Sequence, residues 1–128
     1  MTVEEIDLLY TDLCARIPYG VAYHWKGRTG EDDMPHYLNG MNEWMIFYIQ
    51  QGFVKPYLRP LSSMTEEEKI ELKTITKGAI QTIGLEDIVV TTDKGFDWLN
   101  EHHFDYRRLI EKGLAIAVTE ENNPYKED

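Results

Sequence analysis

Cysteine is almost missing from this chain. Cys14 stands alone, which excludes an intramolecular disulfide and any C-x-x-C metal or redox pair and favours a reducing compartment. Long apolar runs are missing too: none approaches the roughly eighteen residues that a bilayer crossing needs, and no basic-then-apolar leader opens the chain. A soluble, cytoplasmic protein with no membrane attachment is expected. Positive charge is scarce, with 13 lysines and arginines against 23 aspartates and glutamates and a net charge of -10. The deficit is steeper in the second half. Such a field repels nucleic-acid phosphates and anionic lipid, so direct nucleic-acid binding is disfavoured. The basic residues of the centre are Lys26, Arg28, Lys55 and Arg59, and Glu31, Asp32 and Asp33 lie close in sequence to the first pair. No glycine-rich phosphate loop leads from a strand into a helix.

What is present suits one domain. The chain has 128 residues, 42% of them hydrophobic, enough for a single core without staples. Thr2 with Glu5 and Thr65 with Glu68 have the spacing of capping boxes, and each predicts a helix start. The first helix covers 3–15, with Val3, Ile6, Leu9, Tyr10 and Leu13 on one face, and Pro18 ends it. The second begins at the Glu66-Glu67-Glu68 run and stops near Lys77, before Ala79 and Ile83 can extend its Leu72 and Ile75 face. Between them, aromatic and β-branched residues punctuated by glycine read as an antiparallel meander with strands near 20–26, 36–40, 43–50 and 53–58. EWMIFYIQ is the expected central strand, and Pro56 and Pro60 push the next one to an edge. Further on, Ile88 to Thr92 suits a strand, and a helix over 94–102 follows, capped by Thr92 or Asp93. A second helical segment starts at Phe104 or Asp105 and stops at Gly113, and a last strand covers Leu114 to Val118. The predicted architecture is α+β: an N-terminal helix, a central antiparallel sheet or small open barrel of four to five strands, and C-terminal helices packed on one face. The domain occupies 1–119, and the acidic tail 120–128 is expected to fray.

The chemistry-bearing residues point to binding more than to catalysis. His102 and His103 are adjacent and diverge on a helix, and His24 and His36 have no spaced cysteine or carboxylate partner of the kind zinc sites show. Of the histidine pair, one is expected to pack beside Trp98 and the other to face water. Cys14, Ser62 and Ser63 are tied to no histidine by a motif, so no catalytic residue, metal or cofactor is assigned. Phe96, Trp98, Phe104 and Tyr106 cannot all point one way on two short helices. At least one is therefore expected at the surface beside Arg107 and Arg108, and these six form the candidate protein-binding set. The bland alternative buries most of the rings on the sheet. Asp93, Asp97, Glu101 and Asp105 recur every four residues. On one continuous helix they would stand about 6 Å apart, as phosphates do along a strand; the competing reading makes Asp93 and Asp105 caps.

Three islands in order, DLCARIPYGV at 12–21, KPYLRPLSSMTEEEK at 55–69 and FDWLNEHHFDYRRLIEKGLA at 96–115, resemble a family of small uncharacterised proteins of Bacteroidales gut bacteria and their phages and prophages. The resemblance implies an intracellular product of a mobile element and brings no activity, cofactor or site residue with it. The resemblance does not extend to segment 74–95. The expectation is a phage- or prophage-associated accessory protein that binds another protein. An acidic DNA mimic that inhibits a nucleic-acid-binding host protein is the alternative, and a small hydrolase or metal enzyme comes third. Self-association through an edge strand near Pro56 or an exposed aromatic patch stays open.

Overall fold

Local chemistry at the start of the chain behaves as its spacing dictates. The computed structural model describes residues 1–76, 80–83, 87–90 and 93–126. Thr2 Oγ1 accepts from the Glu5 N–H at 3.1 Å, the Glu5 carboxylate accepts from the Thr2 N–H at 2.9 Å, and α1 runs Val3–Arg16. Pro18 turns the chain through one 3-10 turn, and Gly20, at φ 65, releases it into β1, Ala22–Trp25. After the short β2, His36–Tyr37, comes the largest departure from expectation. Residues 43–50 are not a central strand but lie in α2, Glu43–Gln51. Its two brackets decide this. Asn42 Oδ1 accepts from the Met45 N–H at 2.9 Å, and Gly52, at φ 78, ends the helix with bonds from its own N–H to Ile49 O and from Phe53 N–H to Tyr48 O. That is a Schellman terminator, which needs a left-handed residue at its turn. Met45 and Ile49, one turn apart, enter the core; the apolar residues around them mask that period.

β3, Val54–Leu58, is also misplaced by the proline argument. It is an interior strand of a four-stranded sheet ordered β2-β1-β3-β6, where β6 is Ile116–Ala117. Lys26 N–H donates to Phe53 O at 2.9 Å, so bonded pairs fall on alternate residues and the Tyr23–Pro56 pair turns its main-chain groups away from β1. On the other side β6 pairs only with Tyr57 and Leu58, so no ladder donor is asked of Pro56. The β3–β6 pairing is parallel, whereas the β1 pairings are antiparallel. The sheet is thus mixed and open, with β2 and β6 at its edges, rather than antiparallel or barrel-like.

The Thr65–Glu68 box forms as spaced, at 3.0 and 3.1 Å, and starts α3, Glu66–Thr76. Where the expected helix stop falls, Lys77 and Ala79 lie outside the described residues, and Ile83 belongs to a strand. β4, Ile80–Ile83, and β5, Asp87–Val90, pair antiparallel as a separate ribbon; Thr92, the expected end of that strand, also lies outside the described residues. α4, Asp93–Glu101, follows. The second C-terminal helix does not form: 105–113 are turns. Asp105 takes the Leu109 and Ile110 N–H groups, each at 2.9 Å, and Arg108 adopts φ 61, which no α-helix accommodates. Gly113, at φ 75, does close the last turn as expected.

The result is an α+β fold with an N-terminal and a C-terminal helix around a mixed sheet. One core gathers Leu9, Leu13, Ile49, Val54, Leu58 and Leu109, and a second gathers Met64, Leu72, Trp98, Leu99 and Phe104. Within the tail expected to fray, Pro124 and Tyr125 are docked. The Tyr125 hydroxyl accepts from Ala22 N–H at 2.9 Å and donates to Tyr57 O at 2.6 Å, and the Tyr37 hydroxyl donates to Pro124 O at 2.7 Å. Ala22 and Tyr57 would otherwise face each other in the ladder, so the phenol oxygen stands in for a missing strand-to-strand bond.

Candidate functional site

The residues singled out at 93–108 divide between the interior and the surface. Trp98 and Phe104 are buried, stacked with ring centroids 5.7 Å apart, and Trp98 Nε1–H donates to Glu71 at 2.9 Å. Arg59, clamped on the Glu68 carboxylate at 2.7 and 2.8 Å, lies over the Phe104 ring at 4.1 Å. Burial alone would raise the Glu68 carboxyl, but the hydrogen bonds from Arg59 and Thr65 outweigh it and hold it below the usual carboxylate range. Phe96 is the exposed ring of the four and rests on Tyr106. Tyr106 donates to Asn100 Oδ1 at 2.9 Å, and Arg108 is exposed. Of the acidic set, Asp93, Asp97 and Glu101 are exposed at four-residue intervals on α4. Asp105 lies beyond the helix and is buried as a cap. The stripe therefore has three members, not four.

Arg107 belongs to a buried ion network that the hydrophobic pattern of α1 concealed. Leu9, Asp12, Leu13 and Arg16 form the buried face of that helix. Asp12, fully buried, accepts from Arg16 at 2.8 and 3.1 Å and from Arg107 at 2.7 Å. Arg16, also fully buried, reaches on to Phe104 O at 2.7 Å. The signal that could have found it is an aspartate four residues before an arginine, the spacing at which such side chains meet. The network ties α1 to the 104–107 turn, so Tyr106 and Arg107 serve internal architecture.

The histidines also separate. His24 pairs with Glu31 at 2.9 Å, while His36 bonds Asp32 and stacks on Tyr23. Neighbouring strand residues point to opposite faces, and Tyr23 is registered with His36, so His24 lies on the other face. His102 packs on Trp98 with centroids 4.2 Å apart, as expected for one of the pair. His103 does not face water. It ends α4 at φ 64, in the same terminator that Gly52 and Gly113 make, and its ring lies on Tyr125 at 3.7 Å and 8°. Its imidazole is pushed down to about 4, chiefly by burial and then by the charges of Arg16, His102 and Arg59. Burial likewise raises the Tyr125 phenol. Among the described residues no three His, Cys, Asp or Glu side chains gather as metal ligands, and no helix is long and apolar enough to cross a membrane.

The exposed aromatic surface lies elsewhere, on α2 and the adjoining strand. At 100° per residue, Trp44, Phe47 and Gln51 fall within about 60° of one another, away from Met45 and Ile49. Trp44 is 70% exposed and Phe47 45%. Tyr48, half-buried between these two faces, touches Trp44, Phe47, Phe53 and the edge of Trp25, with centroids 5.8–6.5 Å apart. Gly27 holds Trp25 in place, since a Cβ there would stand 2.5 Å from the indole. Two open grooves flank this ridge. One, about 440 Å³, is lined by Tyr23, Tyr37, Trp44 and Tyr48 with Asn39 and Asn42; the other, about 450 Å³, by Trp25, Arg28, Phe47 and Phe53. Burial, then the negative charge of Asp32, raises the Tyr23 phenol, so the first groove has a carboxylate within electrostatic reach.

Sequence reasoning missed this surface because a strand reading of 43–50 buries Trp44 and Phe47. No family model, curated protein or solved structure matches the chain. The class defined by its own geometry is a small mixed-sheet α+β protein with an aromatic face on one helix.

Proposed function

We propose that this protein is a non-enzymatic protein-binding module, an accessory factor of phage or prophage origin as the sequence resemblance implies, and that it docks its partner on the α2 aromatic face. The observation that carries this reading is the solvent exposure of Trp44 and Phe47 on a ridge of five touching rings. Contiguous exposed aromatics are uncommon on soluble monomers and are enriched at the centres of interfaces. The candidate set at 96–108 supports docking less, because most of it is engaged internally. The test is capture of partners from host lysate by the tagged full chain, beside a Trp44→Ser/Phe47→Ser double variant checked for unchanged unfolding. A partner retained at high salt and lost with the double variant supports the reading; retention of every partner by the double variant overturns it.

A second reading keeps some support. Asp93, Asp97 and Glu101 remain exposed on one side of α4, which suits an acidic DNA mimic. In that case the captured partner is released by salt and by Asp97→Lys, while the aromatic variant still holds it.

A further inference from the structure

We propose that the groove between β1, β2 and α2 is a cation-binding aromatic site that receives an arginine side chain of the partner. This rests on the protein-binding reading and specifies the chemistry of its anchor. Four rings line the groove, Tyr23, Tyr37, Trp44 and Tyr48, together with Asn39 and Asn42 and with no lysine or arginine in its lining. Aromatic faces carry negative quadrupole charge and attract organic cations within about 6 Å of a ring centre. Trp, the strongest of these faces, is here the most open, at 70% exposure. The surrounding charge has the same sense. His36 stacks on Tyr23, a lining ring, with centroids 5.4 Å apart and is hydrogen-bonded in turn to the Asp32 carboxylate, and the whole chain carries a net charge of -10.

Charge complementarity selects the occupant. A second copy of this chain would bring Asp32 and a net charge of -10 against the same, so self-association on this face works against like charge. A purely apolar partner would leave that field unanswered. A guanidinium answers it and adds shape. It is planar, weakly hydrated and stacks flat on an indole, while its fork of N–H donors can bond amide oxygens and a carboxylate. A groove of about 440 Å³ has room for the head and its three-carbon stem. The second groove, with Arg28 in its own lining, repels the same ligand.

The experiment titrates the full chain with blocked pentapeptides, Leu and Gly around a central arginine or its neutral isostere citrulline, and follows the backbone amides of Tyr23, Tyr37, Asn39 and Tyr48 by NMR, signals that every variant keeps. The arginine peptide is expected to bind about tenfold tighter than the citrulline peptide, to lose that preference in Trp44→Ser, and to keep it in Ile70→Ser, which alters an exposed side chain of α3 outside the groove. Equal binding of both peptides overturns the proposal, as does an arginine preference that survives Trp44→Ser. These failures are distinct from failure of the docking reading. If lysate partners are lost with the double variant while the peptides bind equally, the face binds protein by apolar packing alone.

Discussion

Replacing His103 by asparagine tests the interior as the structure describes it. His103 occupies the left-handed turn of a helix terminator, a position asparagine tolerates, so the variant keeps the backbone and removes the imidazole. The native ring is held neutral with its pKa near 4, against about 6.5 in the unfolded chain. The unfolded state therefore binds more protons between those values. Stability associated with this residue is full above pH 6.5 and is lost as pH falls from there towards 4. At full weight that difference is worth roughly 3 kcal/mol; the ring is only partly buried, and solvent screening reduces it to roughly 1–2 kcal/mol. The assay is urea unfolding of both proteins from pH 7.5 to pH 4.5. Other carboxylates and histidines cancel in the difference, leaving a gap that shifts by about 1–2 kcal/mol in favour of His103→Asn as pH drops. Parallel stability curves would refute the argument, because they would mean that the imidazole titrates alike in both states.

Asp12→Ala leaves the Arg16 and Arg107 guanidinium groups without their shared carboxylate, and Arg16 is fully buried; a loss of about 3–5 kcal/mol in chemical denaturation is expected, and a loss under 1 kcal/mol would show that the pair is not desolvated in solution. Tyr125→Phe strips the bridging hydroxyl from Ala22 N–H and Tyr57 O. It should cost about 1–3 kcal/mol and speed hydrogen exchange at the Ala22 amide, whereas unchanged exchange there would remove the tail from its assigned place.

Much of the fold was legible where the determinants are local. Thr2–Glu5 and Thr65–Glu68 announced α1 and α3, because a capping box is a four-residue affair that needs no tertiary partner. Gly113 announced its own left-handed turn. EWMIFYIQ misled because surface aromatics on a helix and inward residues on a buried strand give the same apolar run; Asn42 and Gly52, an N-cap and a left-handed stop ten residues apart, were the better guide. Pro56 misled because an interior strand can place a proline where neither neighbour requires a donor. The fate of Asp105 turned on a choice between continuing α4 and capping the next turn, which the left-handed backbone at His103 decides. The aromatic face was visible in composition but not in location, since the exposure of Trp44 follows only once residues 43–51 are helical.

The hydroxyl of Tyr125 closing the gap between β1 and β3 sets an order of events. Ala22 and Tyr57 lie 103 and 68 residues before the side chain that joins them. A chain emerging from the ribosome can form α1, pair β1 with β3 near Trp25 and Val54, and still hold an unclosed seam at Ala22 until residue 125 has been made. Contacts of such long sequence separation form late and slow folding. This sheet is therefore finished last at its middle, not at its rim, and the completed seam reports that the chain has been made through Tyr125.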